Sequence, residues 1–122
     1  MKEVWHTENF VIADARKQDR TVQGKVLGHI GIFREEPDFW TVTHIPSGYA
    51  AVRGLSYNEA RKFAHLCLEW LPNEGERHEL PTFTKTDRYR EFCHKAWDWF
   101  LANGVPPYTA KWVAEKAAQL GM

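Results

Sequence analysis

Cysteine is scarce, charge of one sign is not in excess, and long apolar runs are missing. Each shortage removes a class of protein. Two cysteines, Cys67 and Cys93, in 122 residues make no disulfide framework of the kind that staples small secreted domains. Both sit among apolar neighbours, so they read as buried free thiols in a reducing compartment. Sixteen Lys and Arg balance sixteen Asp and Glu. The balance also holds in each part: residues 1–54 carry seven of each sign and residues 55–122 nine of each. A general electrostatic grip on phosphates needs a basic excess, which neither part has. No apolar run is long enough to span a bilayer, and the first residues, Met-Lys-Glu-Val-Trp-His, form no apolar leader. The expectation is a cytoplasmic protein without a membrane partner.

Aromatic residues are abundant, at 14% with six tryptophans. Each large ring can bury roughly 150–250 Å². A chain of this length with that complement supports a real core, and no linker or repeat divides it. It is therefore read as one α+β domain over residues 1–122.

The expected fold is an N-terminal antiparallel sheet of three to four strands in a meander, packed against about three C-terminal helices. β-branched and aromatic residues at 4–13 (Val4, Trp5, Phe10, Val11, Ile12) and at 25–33 (Val26, Leu27, Ile30, Ile32, Phe33) predict two strands. The polar stretch 14–23 reads as a loop, and Gly28 and Gly31 as a bulge or a close backbone approach. Phe39-Trp-Thr-Val-Thr-His-Ile45 alternates, with Trp40, Val42 and His44 on one face. Pro46-Ser47-Gly48 then predicts a three-residue hairpin loop with a bulge before Tyr49-Ala-Ala-Val52.

Ser56-x-x-Glu59 is a capping box, and Leu55 can staple on Ala60. Tyr57, Ala60, Phe63, Ala64, Cys67, Leu68 and Leu71 share a helical face that Pro72 ends. After a polar connection over 73–85, Thr86 or Asp87 caps a second helix. Tyr89, Phe92, Cys93, Ala96, Trp97, Phe100 and Leu101 face inward, and Asn103-Gly104 stops it. A third helix is expected over 109–120, burying Ala110, Val113, Ala114, Ala117 and Leu120.

A search for chemistry returns little. Six histidines are present, with no His-x-x-x-His and no Cys-x-x-Cys. Glu91-x-x-His94 is half of a bundle-type carboxylate metal site, and no second copy exists. Gly24, Gly28 and Gly31 lack the strand-to-helix setting of a phosphate loop. No catalytic residue, metal site or cofactor is assigned. His44, just before the hairpin turn, is the one candidate base or partner-contact residue. A nucleophile beside it would have to be Ser47, Thr43 or a cysteine, with Asp38 as the nearest carboxylate. The alternative is a half-buried histidine bonded to a neighbour.

Lys85, Arg88, Arg90 and Lys95, with Tyr89, Phe92 and Trp97 between them, suggest a single-strand binding strip. Asp87, Glu91 and Asp98 dilute it, and nucleic acid is the less favoured partner. The aromatic surplus points instead to a protein partner. Trp99, Tyr108 and Trp112 are the candidate contact residues, since tryptophan and tyrosine dominate binding hot spots. The competing reading has the tryptophans filling the core.

Trp40-Thr-Val-Thr-His-Ile-Pro-Ser-Gly48 followed by Gly54-Leu-Ser-Tyr-Asn-Glu-Ala60 resembles a segment of small accessory proteins of phages and prophages. The resemblance spans residues 39–71 and transfers no functional residues. It implies a non-enzymatic binding protein, an inhibitor of a host defence complex of the anti-CRISPR type, acting on a host or phage protein.

Overall fold

The computed structural model describes residues 4–13, 19–75 and 82–104. Five strands, β1 (His6–Ala13), β2 (Asp19–Leu27), β3 (Ile30–Glu36), β4 (Phe39–His44) and β5 (Tyr49–Leu55), precede helices α1 (Tyr57–Trp70) and α2 (Asp87–Asn103), with a short 3₁₀ helix at Thr82–Lys85 between them. The sheet is an antiparallel meander in the order β1-β2-β3-β4-β5. The expected α+β arrangement is present, with one or two more strands than composition indicated and two α-helices among the described residues. The expected third helix over 109–120 lies outside them.

The extra strand comes from two misplaced boundaries. Residues 19–23 form no loop: Ala13 to His6 pair in register with Asp19 to Val26. The residues Asp19, Arg20, Thr21 and Gln23 are exposed, so this stretch is strand through its backbone ladder and not through burial. Residues 25–33 are two strands, because Gly28 and His29 turn the chain between Leu27 and Ile30, with Gly28 at φ +60°. What crowds Gly31 is a side-chain ring and not a neighbouring backbone. A Cβ there would lie 2.8–3.0 Å from the ring of Phe10.

The sheet has two filled faces. Ile30, Ile32, Val42, Val52 and Leu55 pack under Phe63, Phe92 and Phe100 of the helices. On the other face Phe10, Ile12, Val26 and Phe33 form a second cluster. There the β1 end is tied to the β4–β5 turn, where the Ala13 amide donates to the Gly48 carbonyl at 3.0 Å.

The β4–β5 hairpin forms where expected, but its loop is four residues, 45–48, because His44 pairs with Tyr49. The Gly48 amide donates back to the His44 carbonyl at 2.8 Å, and Gly48 has φ +79°. The expected bulge lies inside the ladder, at the register shifts between Trp40 and Thr43. Gly48→Val is expected to cost about 2 kcal/mol, since a side chain resists the left-handed region and a β-branched one most of all. An unchanged thermal midpoint would show that the turn tolerates another geometry.

Both helix starts follow the sequence. The Glu59 amide donates to Ser56 Oγ and the Ser56 amide to Glu59 Oε1, completing the box. Thr86 caps α2 through the Tyr89 amide. Gly104, at φ +65°, closes α2 in the left-handed conformation. Leu101, placed on the inward face by periodicity, is 66% exposed. It is the residue after the last buried position, Phe100, and so lies about 100° around the helix from it. No described helix is long and apolar enough to cross a membrane.

Candidate functional site

His44 ends β4 with its side chain on the helix-facing side, as the alternation required. It is completely buried. Its Nε2 donates to the Pro72 carbonyl at 2.7 Å. A carbonyl can only accept, so the proton of the neutral ring is on Nε2 and Nδ1 is the acceptor. Ser47 Oγ sits 2.8 Å from Nδ1 and donates to it. The same hydroxyl oxygen takes the Tyr49 amide at 3.3 Å. Phe83 stands edge-on to the imidazole, centroids 5.1 Å apart, and Gly75 lies close enough that a Cβ there would be 3.4 Å from His44 Cε1 and 3.3 Å from Ser47 Cβ.

Burial holds the His44 pKa below the ordinary 6.5; the Pro72 hydrogen bond opposes this in part, and the nearby His29 adds to it. His29, in the β2–β3 turn, donates from Nε2 to the Leu71 carbonyl at 2.6 Å, its ring 6.0 Å from that of His44. One histidine from the β2–β3 turn and one from the end of β4 thus hold consecutive carbonyls at the exit of α1. The last turn of α1 has no basic residue of its own, and favourable partners for its carbonyl end come from the sheet and from Arg88 of α2.

A base beside a hydroxyl is present, but both ring nitrogens are committed internally and Ser47 is as closed off as His44. Asp38 lies in the turn at the opposite end of β4, six residues or roughly 20 Å of strand from His44, and is exposed. It does not orient the imidazole. Thr43 Oγ1 is buried on the other face of the strand with no hydrogen-bond partner among the described residues, away from the ring nitrogens. The two cysteines are buried. Burial raises the Cys67 thiol far above its usual range. It also raises the Tyr89 phenol, which is hydrogen-bonded with Cys93. Neither thiol is an available nucleophile. Among the described residues no group of three His, Cys, Asp or Glu could hold a metal.

The surface offers a different arrangement. Along the outer seam of α1 and α2, Leu66, Trp70 and Trp99 are half-buried against the core. The guanidinium of Arg88 lies over the Trp70 ring at 4.6 Å and the Lys95 ammonium at 5.1 Å. Arg88 Nη2 also donates to the Glu69 carbonyl at 2.5 Å. Trp99 tilts over Phe63, centroids 5.1 Å apart.

The candidate residues therefore separate. Trp99 is on this seam, His44 is inside, and Tyr108 and Trp112 lie outside the described residues. The basic strip divides as well: Arg88 and Lys95 meet on Trp70, while Arg90 is turned away by about 200° of helix and approaches Asp87 at 4.0 Å. Trp70 was legible only as the edge of an apolar arc. The usable signal was the seven-residue spacing of Arg88 and Lys95, which puts two cations on one flank about 10 Å apart. No family model matches the chain, and no curated protein or solved structure shows significant similarity to it.

Proposed function

We propose that this chain is a non-enzymatic protein-binding module that docks through the outer α1–α2 seam. The observation carrying this is the Trp70 indole gripped by Arg88 and Lys95, with Leu66 one turn before it on α1 and Trp99 packed on Phe63. Tryptophan and arginine are the residues that most often dominate binding energy. An indole already fixed by cation–π contacts loses little side-chain freedom when a partner covers it. The buried state of His44 and Ser47 supports the same reading, since a reacting molecule has no access to either in this conformation. The resemblance of residues 39–71 to phage accessory proteins supplies the setting: an inhibitor of a host defence complex, working in the host cytoplasm. With zero net charge, it blocks by shape and apolar contact and not as an acidic mimic of DNA.

The test is quantitative recovery of a partner from host lysate by the wild type and by Trp70→Ala. A hot-spot loss of about 2 kcal/mol weakens binding about 30-fold. Because Trp70 is only half-buried, the variant is expected to fold. Equal recovery by both proteins, or none by the wild type at micromolar bait, overturns the reading. Nucleic-acid binding by Arg88 and Lys95 would instead appear as retention of a single-stranded probe that collapses between 50 and 200 mM salt.

A further inference from the structure

The connection leaving α1 is held to the sheet by two imidazole rings. His29 grips the Leu71 carbonyl and His44 the Pro72 carbonyl. Beneath this grip lie Leu71 and Phe83, both buried. Among the described residues the groups facing the His44 ring are few. From the β2–β3 turn comes His29, the one titratable neighbour among them; from the turn after β4, the Ser47 hydroxyl; from the connection, the Pro72 carbonyl and Gly75; from the 3₁₀ helix, the Phe83 ring. Glu74 is in the same connection but exposed. No carboxylate among these neighbours is placed to stabilise an imidazolium.

A second proton on His44 would have to enter at Nδ1, which accepts the Ser47 proton. Ser47 Oγ can turn its hydrogen to the His44 carbonyl, 3.3 Å away, so the hydrogen bonds can rearrange. The charge would remain buried next to His29. The relief available is to release the connection and let water reach the ring.

We propose that His44 is an acid-operated latch, whose protonation frees residues 71–75 from the sheet and uncovers Leu71 and Phe83 while the rest of the fold stays intact. The direction follows from linkage. The closed state holds the His44 pKa below 6.5, so the closed state is fully favoured above pH 6.5. That preference is lost as pH falls from 6.5 toward the lowered value. Across that window the opening equilibrium rises by about tenfold per pH unit.

Hydrogen–deuterium exchange of the intact chain between pH 7.5 and 5.0, corrected for intrinsic rates, tests this. Peptides covering residues 71–75, whose protection rests on the Leu71 amide bonded to the Cys67 carbonyl at 2.8 Å, are expected to lose that protection about tenfold per pH unit below 6.5, while peptides from β4 and from the middle of α1 do not. His44→Gln keeps a donor toward Pro72 and cannot titrate, so its 71–75 profile should be flat. Simultaneous loss in the core peptides, a flat wild-type profile, or the same fall in His44→Gln overturns the latch. Should His44→Gln fail to fold, the ring-proton NMR titration of wild-type His44 decides: a midpoint below 6.5 that coincides with the exchange step supports it, and one at or above 6.5 sinks it.

Discussion

Phe63→Ala is expected to lower the free energy of unfolding by about 4 kcal/mol, the size of change seen when a large buried ring is deleted. Phe63 is fully buried in the middle of α1. It lies against three rings of α2: Phe92 with centroids at 6.2 Å, Trp99 at 5.1 Å and Phe100 at 5.3 Å. Phe92 and Trp99 are tilted to it by 30° and 31° and Phe100 is edge-on at 72°, ring contacts that add to simple area burial. The neighbours are rings from one rigid helix, so they cannot collapse independently into the space. Much of the cavity would therefore persist. Since the whole stability of a domain this size is about 5–15 kcal/mol, the variant would sit near its unfolding threshold at 37 °C. Urea denaturation should show a much lower midpoint with an unchanged slope. Leu101→Ala, on the same helix but 66% exposed, should change stability by less than about 0.5 kcal/mol. A loss below 1 kcal/mol for Phe63 would mean that the two helices are not held together by this ring cluster.

The elements that were legible in the sequence are those whose cause is local. The β4 alternation, the Ser56–Glu59 box, the Thr86 cap and Gly104 each act within a few residues, and each is found in place. What was hidden depends on distant partners. β2 looks like a loop because its first half is polar; only pairing with β1 makes it a strand. His44 was placed on the correct face, but nothing within its strand shows that Pro72, Gly75 and Phe83 close over it, 28 or more residues along the chain. Trp70 and Arg88 are in different helices, and their meeting requires the antiparallel packing that brings the end of α1 to the start of α2. The aromatic count points to a rich core, and the core is full of rings. The described tryptophans Trp5, Trp40, Trp70, Trp97 and Trp99 are all partly buried against it, a degree of burial that a helical wheel does not resolve.

Gly24→Ala is expected to destabilise by about 3 kcal/mol, the upper end of the usual range for forcing an extra carbon into a packed site. A Cβ at Gly24 would lie 2.1 Å from the Ile32 carbonyl oxygen and 3.0 Å from its carbon. These are backbone atoms of β3, fixed by the ladders to β2 and β4, so a change of rotamer cannot relieve the clash. Gly24 is where β2 parts from β3: the ladder between them covers just Lys25–Ile32, Val26–Gly31 and Leu27–Ile30, while β1 follows β2 from Asp19 to Val26. The added methyl must push the β1–β2 hairpin off β3, which opens the Phe10, Ile12, Val26 and Phe33 cluster. Exchange protection should therefore fall first in residues 6–13 and 19–27, with α1 and α2 affected less. Gly31→Ala differs in kind, because its clash at 2.8–3.0 Å is with the Phe10 ring and not with backbone. Phe10→Leu should accordingly recover much of the stability lost in Gly31→Ala and little of that lost in Gly24→Ala. Equal rescue of the two would show that the Phe10 ring, and not the Ile32 carbonyl, is what requires glycine at position 24.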